Sequence, residues 1–339
     1  MKTNVDSNNS YGTNSASLLS VKGLKTCFKQ KDKSIIRAVD GVDIEIAPGE
    51  VHGLVGESGC GKSVLSLSIL RLISPPGFIS GGEIVWEGND LLRLDNNDMR
   101  KIRGKEIAMI FQNPQASLNP LYTVSQQMTA VIRLHRKISK KEAKEEAVRL
   151  LKMVQLPDAE KRMKSYPHEL SGGMCQRVMI AMAISLQPKM IIADEPTSSL
   201  DVTIGAQILN LLIELRRQFN ISILLISHDM GAVSRICSKI SVMYLGRILE
   251  TGNKTDIFQN PQHPYTQALL DAGKIPVHSH PAKSENNLIK GDIPGSMDIP
   301  SGCRFHTRCP SVFEKCYNME PELKTLTANG IKVACHLYE

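Results

Sequence analysis

The sequence predicts an α/β fold, in which short apolar strands alternate with helical segments. One observation is a series of apolar runs of strand length, each followed by a polar or glycine-rich turn. These runs are residues 51–55, 107–111, 190–193, 222–227 and 239–244. A second observation is the region of residues 19–46 together with 82–86, where the pattern predicts antiparallel strands. We therefore expect a core of buried strands with an antiparallel β subdomain at its start.

A glycine-rich loop follows the first apolar run of the core, and a helical pattern begins directly after the loop. The loop reads Gly-Glu-Ser-Gly-Cys-Gly-Lys-Ser and fits the pattern G-x-x-x-x-G-K-[ST]. Glycines let backbone N–H groups turn toward phosphate oxygens, and the N-terminus of the following helix adds a positive potential. The alternative is a glycine-rich surface turn that matches the pattern by accident. Such a turn would not need an apolar strand before it and a helix after it. The predicted nucleotide-binding residues are Gly56, Glu57, Ser58, Gly59, Cys60, Gly61, Lys62 and Ser63.

A second set of motifs accompanies this loop. The segment Leu-Ser-Gly-Gly-Met at residues 170–174 begins 20 residues before the apolar run that ends in Asp194 and Glu195. The other elements are Gln112, the Ser-Ser-Leu-Asp segment at residues 198–201, and His228. Together with the loop, these motifs resemble the ATP-binding cassette (ABC) family. The resemblance implies an ABC nucleotide-binding domain with a P-loop core, an antiparallel β subdomain and a helical subdomain at about residues 115–186.

The chemistry expected at these residues is phosphoryl transfer to water. That reaction needs charge neutralisation and an aligned nucleophile, with little covalent chemistry from the protein. Lys62 is expected to reach the β and γ phosphates of ATP. Ser63, Asp194 and Gln112 are the expected protein groups around Mg²⁺, which prefers oxygen ligands. Glu195 is placed to polarise the attacking water as general base, and the alternative for it is a solvated carboxylate at a strand end.

Three further side chains are assigned by position and by the resemblance. Gln112 is expected to sense the γ phosphate or its metal ion, and His228 to hydrogen-bond the γ phosphate and orient the nucleophile. Phe28 lies 28 residues before Gly56 and offers a ring face for stacking on adenine. A core aromatic of the first strand is the other interpretation of Phe28, and both stay open.

The signature segment predicts a dimer of cassettes. Ser171, Gly172 and Gly173 offer a second set of N–H donors at a helix start, although the chain already has its own phosphate loop. In the family, this second set contacts the γ phosphate bound by another subunit, and Asp201 belongs to the same nucleotide site. Two cassettes are therefore expected to sandwich two ATP molecules head to tail. Met174 stands where the family frequently has Gln, which leaves the serine and the glycine donors intact.

Composition agrees with a cassette carrying an appended segment. The chain has 339 residues, a net charge of +7 and 4% aromatic residues, and no run approaches the length of a membrane-spanning helix. This charge suits an anionic nucleotide and an anionic leaflet, while scarce aromatics argue against stacking on nucleic acid. Residues 1–17 are expected to be a disordered tail and not a signal peptide, which predicts a cytoplasmic protein. The ABC ATPase domain is expected at residues 18–272.

Residues 273–339 form a loop-rich extension that a minimal cassette lacks. His-Pro-Tyr-Thr at residues 263–266 precedes it, and it contains four of the eight cysteines. These are Cys303, Cys309, Cys316 and Cys335. This ending resembles the ATPase subunits of bacterial oligopeptide and dipeptide importers, and the resemblance implies a [4Fe–4S] cluster on the four thiols. Zinc, with His306 or His336 as substitute ligands, and unligated structural thiols are the alternatives; disulfides are not expected in a reducing compartment.

The resemblance predicts the ATP-hydrolysing subunit of a peptide importer, held at the cytoplasmic face of the cell membrane. Its expected partners are two integral membrane permease subunits, a second and different ABC ATPase subunit, and, indirectly, an extracytoplasmic substrate-binding protein. Helical patterns at residues 124–134 and 140–154 resemble the subdomain that receives a permease coupling helix, with residues 114–123 and 164–169 beside the groove. The alternatives are a nickel or metal-chelate importer and, in a different class, a soluble cassette acting on nucleic acid or ribosomes.

Overall fold

The computed structural model describes residues 17–273, 294–295, 298–326 and 330–339. The predicted N-terminal tail, apart from Ser17, lies outside the described residues, as does the beginning of the extension. Strands and helices alternate through the described part, so the predicted α/β class is confirmed. No helix in these ranges is long and apolar enough to cross a membrane.

The strands in chain order are β1 (Leu19–Lys29), β2 (Ile35–Ile46), β3 (Val51–Val55), β4 (Gly77–Trp86), β5 (Asn89–Asp90), β6 (Ile107–Ile110), β7 (Met190–Asp194), β8 (Ser222–Ser227), β9 (Lys239–Tyr244), β10 (Arg247–Asn253), β11 (Lys324–Thr325) and β12 (Lys332–Val333). The helices are α1 (Lys62–Ile69), α2 (Asn96–Ile102), α3 (Pro114–Ser117), α4 (Val124–His135), α5 (Lys140–Met153), α6 (Ala159–Arg162), α7 (Gly172–Ile184), α8 (Val202–Phe219), α9 (Met230–Ile236), α10 (Lys254–Gln259), α11 (Pro264–Ala272) and α12 (Glu314–Asn318).

The central sheet has the strand order β11-β12-β10-β9-β3-β8-β7-β6. Strands β6, β7, β8, β3 and β9 pair in parallel, and β10 pairs antiparallel to β9. The parallel strands β3, β7 and β8 are buried along their whole length, which is why they read as continuous apolar runs. Val55 pairs with Ser227, and Asp194 pairs with Ile226. The segments that follow these strands therefore meet at one edge of the sheet.

Alternate residues of the central strands face two hydrophobic cores. Leu54 packs with the antiparallel sheet and α1, whereas Val51 and Val55 pack with the helices on the other face. A strand places successive side chains on opposite faces, so both cores use the same short strands. The sheet is thus anchored from both sides, and the loops at its edge start from fixed backbone.

The antiparallel subdomain is a sheet of order β2-β1-β4-β5. Leu19 pairs with both Ile46 and Trp86 and is fully buried. The prediction of antiparallel strands here is confirmed, but β4 begins at Gly77 and not at residue 82. The pairing of β1 with β4 is shifted beside Gly82, whose φ is 94°. This irregularity interrupts the alternation that would have identified the earlier part of the strand.

The helical pair α4 and α5 starts where the sequence predicted. Thr123 and Gln126 form a capping box at α4, and Ser139 and Glu142 form another at α5. Both helices bury their apolar faces against α7 in the larger core. This arrangement positions the start of α7, which carries the Leu-Ser-Gly-Gly-Met segment.

The extension is built onto the edge of the central sheet. Strand β12 pairs antiparallel with β10, and β11 pairs with β12. Phe305 is fully buried and packs against Tyr244 and Tyr265, with ring centroids 5.4 and 5.2 Å away. The buried side chain of Arg304 donates hydrogen bonds to the Asp40 carboxylate and the Leu245 carbonyl. The extension therefore shares the cassette's sheet and its core.

Candidate nucleotide site

The loop after β3 has a conformation that requires glycine at two positions. Gly61 has a φ of 108°, and a Cβ atom there would lie 2.2 Å from the Ala38 carbonyl oxygen. A Cβ atom at Gly56 would lie 2.2 Å from the Met243 carbonyl oxygen. Real Cβ atoms do not approach oxygen this closely, so both sites exclude any side chain. The G-x-x-x-x-G pattern thus follows from the packing of the loop against β9 and β2.

The side chains of the loop point in different directions. The Lys62 ammonium is buried and donates hydrogen bonds to the carbonyls of Gly56 and Glu57, at 2.7 and 2.9 Å. Cys60 lies in the smaller core, and burial raises the pKa of its thiol. Cys60 therefore contributes its backbone to the loop, while Ser58, Gly59 and Ser63 are exposed.

An oxygen-rich position lies between the loop and the end of β7. The Ser63 hydroxyl donates to Asp194 Oδ1 at 3.2 Å, which brings together two of the predicted Mg²⁺ residues. Burial, with a smaller contribution from Glu195, raises the pKa of Asp194, while the bond from Ser63 opposes this. A hydroxyl and a buried carboxylate are ligands that suit Mg²⁺, with nucleotide oxygens and water completing its shell. The side chains present therefore fit the ion.

Three loops converge on the Glu195 carboxylate. Gln112 Nε2 donates to Glu195 Oε2 at 2.9 Å, and His228 Nδ1 lies 3.2 Å from Glu195 Oε1. The Glu195 backbone has a φ of 45°, unusual for a residue with a side chain, and its N–H donates to the Ile226 carbonyl. Sequence motifs indicate each of the three side chains separately. Their meeting at one carboxylate emerges only in the structure.

The signature segment begins α7 and faces outward. Ser171 is exposed and caps the helix, its Oγ accepting from the Met174 N–H at 3.3 Å. A Cβ atom at Gly173 would lie 2.8 Å from Ile204 Cγ2, so this glycine also permits close packing on α8. Asp201 is exposed and caps α8 by accepting from the Ile204 N–H at 2.9 Å. No hydrogen bond within the described residues joins Ser171 or the two glycines to the loop at residues 56–63.

Phe28 lies near the end of β1 and is half-buried. It pairs with Ile36 on β2 and with Gly77 on β4. A Cβ atom at Gly77 would lie 2.6 Å from Phe28 Cε1, so the ring packs directly over that glycine. Stacking of this ring on adenine stays a prediction.

The prediction of a [4Fe–4S] cluster is wrong. In the described ranges, which include Cys303, Cys309, Cys316 and Cys335, no group of three or more His, Cys, Asp or Glu side chains could hold a metal ion. Burial raises the pKa values of Cys303, Cys309 and Cys335 to about 11, so these thiols stay protonated at neutral pH. Cys303 and Cys316 belong to the larger hydrophobic core. These two thiols, with the partly buried Cys309 packed against the same core, act as small packing groups, which was the alternative of unligated structural thiols.

The two histidines considered as zinc ligands also have other partners. His336 Nδ1 lies 2.6 Å from Glu339 Oε2, and its Nε2 lies 2.8 Å from the Met319 carbonyl. His306 Nδ1 lies 2.8 Å from the Cys303 carbonyl. These side chains serve the packing of the extension.

A contact between the loop and the extension was not predicted from the sequence. Both carboxylate oxygens of Glu57 accept hydrogen bonds from Arg308, at 3.0 and 3.1 Å. The Glu57 N–H donates to the Tyr265 hydroxyl at 3.0 Å. The available signal was weak: Tyr265 lies in the His-Pro-Tyr-Thr segment and Arg308 directly precedes a cysteine.

The fold and the site define an ATP-binding cassette, an ABC-type ATPase. A family model described as ABC transporter matches residues 39–198. The dimeric structure of a post-hydrolysis state of the cassette MJ0796 bound to ADP and Pi is similar, with a TM-score of 0.63, 28% identity, and coverage of 70% of this chain and 98% of that one. ATP and Mg²⁺ are the cofactors that this class implies.

A second family model, oligopeptide/dipeptide transporter C-terminal region, matches residues 249–316. The oligopeptide transport ATP-binding protein AppD of Bacillus subtilis is 50% identical over 96% of this chain and 98% of its own length. The dipeptide transport ATP-binding protein DppD of Haemophilus influenzae is 47% identical over 94% of this chain and 95% of its own length. OppD of Escherichia coli, an oligopeptide transport ATP-binding protein, is 46% identical over 94% and 92%. The chain belongs to the oligopeptide/dipeptide transporter branch of the ABC family.

Proposed function

We propose that this protein is the ATP-hydrolysing subunit that energises the import of oligopeptides or dipeptides through a membrane ABC transporter. The observation that carries the hydrolytic part is the convergence of Gln112 and His228 on the Glu195 carboxylate. Similarity to peptide-transport ATP-binding proteins along 96% of the chain supports the substrate class. That similarity includes the extension, which separates this branch from a minimal cassette.

The mechanism starts with the backbone N–H groups of residues 58–63, which bind the ATP phosphates together with Lys62, while the Glu57 N–H anchors the loop on Tyr265. Ser63 and Asp194 would hold Mg²⁺, which would supply positive charge to balance that of the phosphates. Glu195 accepts a proton from the attacking water as the water approaches the γ phosphate. Gln112 and His228 restrict the rotamers of that carboxylate. A fixed carboxylate keeps the water aligned, which lowers the entropic part of the barrier.

Hydrolysis requires a second cassette in this proposal. The exposed Ser171 and the half-buried Gly172 and Gly173 would contact the γ phosphate held by the partner's loop, with Asp201 beside them. The partner is a related but different ATPase chain. Bulk water is excluded when the two cassettes close over ATP.

The position on this chain that we propose for docking of one permease subunit is an apolar groove between β6, α1 and the helical subdomain. The groove encloses about 260 Å³. Its lining includes Leu70, Leu72, Phe111, Leu118, Val131 and Met179. Phe111 is 40% exposed and directly precedes Gln112, whose amide contacts Glu195. A helix bound in the groove would therefore contact Phe111, and the next residue, Gln112, contacts the Glu195 carboxylate.

These contacts would hold the protein at the cytoplasmic face of the membrane. An extracytoplasmic binding protein would deliver the peptide to the permease subunits, so it affects this chain only through them. The domain limits proposed are residues 18–272 for the ATPase domain and residues 273–339 for the extension.

Deletion of the gene, followed by uptake assays with labelled dipeptides, oligopeptides and Ni²⁺, tests the proposal. We expect loss of peptide uptake with Ni²⁺ uptake unchanged. Wild-type protein should restore uptake, and Lys62→Ala should not, because its loop lacks the phosphate-binding cation. Normal peptide uptake with a specific loss of Ni²⁺ uptake would contradict the peptide assignment.

A further inference from the structure

Glu57, the second residue of the loop, is held from three directions. Its carboxylate accepts two hydrogen bonds from Arg308, its N–H donates to Tyr265 Oη, and its carbonyl accepts from Lys62 Nζ. Two of these partners, Tyr265 and Arg308, lie more than 200 positions away in the sequence. Because the Glu57 N–H is bonded to a protein oxygen, this residue anchors the loop and leaves phosphate binding to its neighbours.

The Arg308 side chain is itself held in place by burial and by contacts with Tyr244. Its side chain is 7% exposed, compared with 23% for Glu57. Its Nη1 also lies 3.4 Å from Tyr244 Oη, and the guanidinium carbon lies 5.8 Å from the centre of the Tyr244 ring. A planar guanidinium that forms two parallel hydrogen bonds to a carboxylate fixes both distance and orientation. Movement of Arg308 would therefore move the start of the loop.

Attachment of the extension does not depend on this contact. Arg304 already bonds to Asp40 and to the Leu245 carbonyl, and β12 pairs with β10. The fully buried ring of Phe305 is a further attachment of the extension to the cassette. The Arg308–Glu57 pair differs from them because it ends on the loop that is proposed to hold phosphate.

We propose that Arg308 is a positioning residue for ATP, which couples the C-terminal extension to the conformation of the loop at residues 56–63. The proposal rests on the assignment of that loop as the phosphate site. Arg308 does not touch the nucleotide and acts through Glu57. By thermodynamic reciprocity, ATP binding must tighten the extension to the same degree that the extension tightens ATP binding.

The first test measures the dissociation constant of a fluorescent MgATP analogue for the full-length wild-type protein and for three full-length variants. The variants are Arg308→Gln, Glu57→Gln and the double substitution. We expect each single substitution to weaken binding about tenfold, and the double substitution to weaken it no further, since the two side chains act as one pair. In the assembled transporter at saturating ATP, the hydrolysis rate of Arg308→Gln should change by no more than about twofold, because Arg308 acts on ATP binding and does not touch the reacting atoms. Lys315→Gln, which breaks an ion pair within the extension, is the matched control and should bind normally.

Wild-type affinity in both single variants, or fully additive losses in the double variant, would overturn the proposal. Lys62→Ala separates this failure from failure of the loop assignment. If Lys62→Ala loses nucleotide while Arg308→Gln binds normally, only the coupling is wrong. If Lys62→Ala also binds normally, the phosphate-loop assignment is wrong.

Hydrogen exchange of residues 302–309 provides a second readout, which also serves if Arg308→Gln folds poorly. In the wild-type protein, MgATP should slow exchange in this segment. Glu57→Gln changes only the loop side of the pair and should abolish that slowing. Exchange that is unaffected by MgATP in the wild-type protein would overturn the coupling.

Discussion

At the residue scale, Gly61 and Gly59 separate two effects that a glycine can have in a tight loop. Both have positive φ, but a Cβ atom would meet the Ala38 carbonyl at Gly61 and nothing within 4 Å at Gly59. Backbone strain is therefore common to both positions, whereas a steric collision occurs at one. The loop can adopt its shape only because residue 61 has no side chain.

We expect Gly61→Ala to weaken ATP binding about a hundredfold or more, because the collision cannot be relieved without moving β2. Gly59→Ala carries only the strain of positive φ, which costs about 1 kcal/mol, and should bind ATP within about fivefold of wild type. Isothermal titration of both variants with MgATP checks this. Equal affinities for the two variants would contradict the observed loop packing.

At the element scale, the junction before the extension depends on a buried, neutral histidine. His263 is 1% exposed, and its Nδ1 accepts from the Tyr265 N–H at 3.0 Å, which caps α11. Burial lowers the pKa of His263 to about 3. The folded state therefore binds fewer protons than the unfolded state below the ordinary histidine pKa.

The free energy of unfolding should accordingly fall as pH falls from about 6.5 toward 3, losing about 2 kcal/mol by pH 5. Asparagine can still cap a helix but does not titrate, so His263→Asn should flatten this part of the pH profile. Urea unfolding between pH 5 and 8 measures the effect. The same slope in both proteins would show that another group controls the acid sensitivity.

Local patterns predicted the elements well, and they failed where the structure depends on distant contacts. The helical patterns at residues 124–134 and 140–154 predicted α4 and α5, since a helical period is read from residues three and four positions apart. The bond from Gln112 to Glu195 spans 83 positions and the bond from Arg308 to Glu57 spans 251, so no local period reports them. The resemblance was misleading at the four cysteines, because cysteines at the same sequence positions can either ligate a cluster or pack as buried thiols.

At the scale of the whole molecule, an exposed apolar side chain lies beside the groove proposed for the permease helix. Leu121 is 79% exposed and lies three residues after Leu118, which lines the groove proposed for the permease helix. Ile35 is 54% exposed on the antiparallel sheet and serves as a comparison. A charge buried in an apolar interface is costly unless it is paired.

Leu121→Asp should therefore weaken association with the permease subunits about tenfold or more, with the ATP affinity of the isolated chain unchanged. Ile35→Asp should leave association intact. Co-purification of both variants with the membrane subunits in detergent measures this. Loss of association in Ile35→Asp alone would place the interface on the other subdomain.

Glu195→Gln tests most directly whether the carboxylate held by Gln112 and His228 activates the attacking water. Single-turnover hydrolysis in the assembled transporter should slow about a hundredfold or more, because glutamine cannot accept the proton. ATP affinity should stay near wild type, since the loop, Lys62 and Asp194 are unchanged, and a closed, ATP-bound dimer should accumulate. Hydrolysis at a near-wild-type rate would contradict the assignment of Glu195 as the general base.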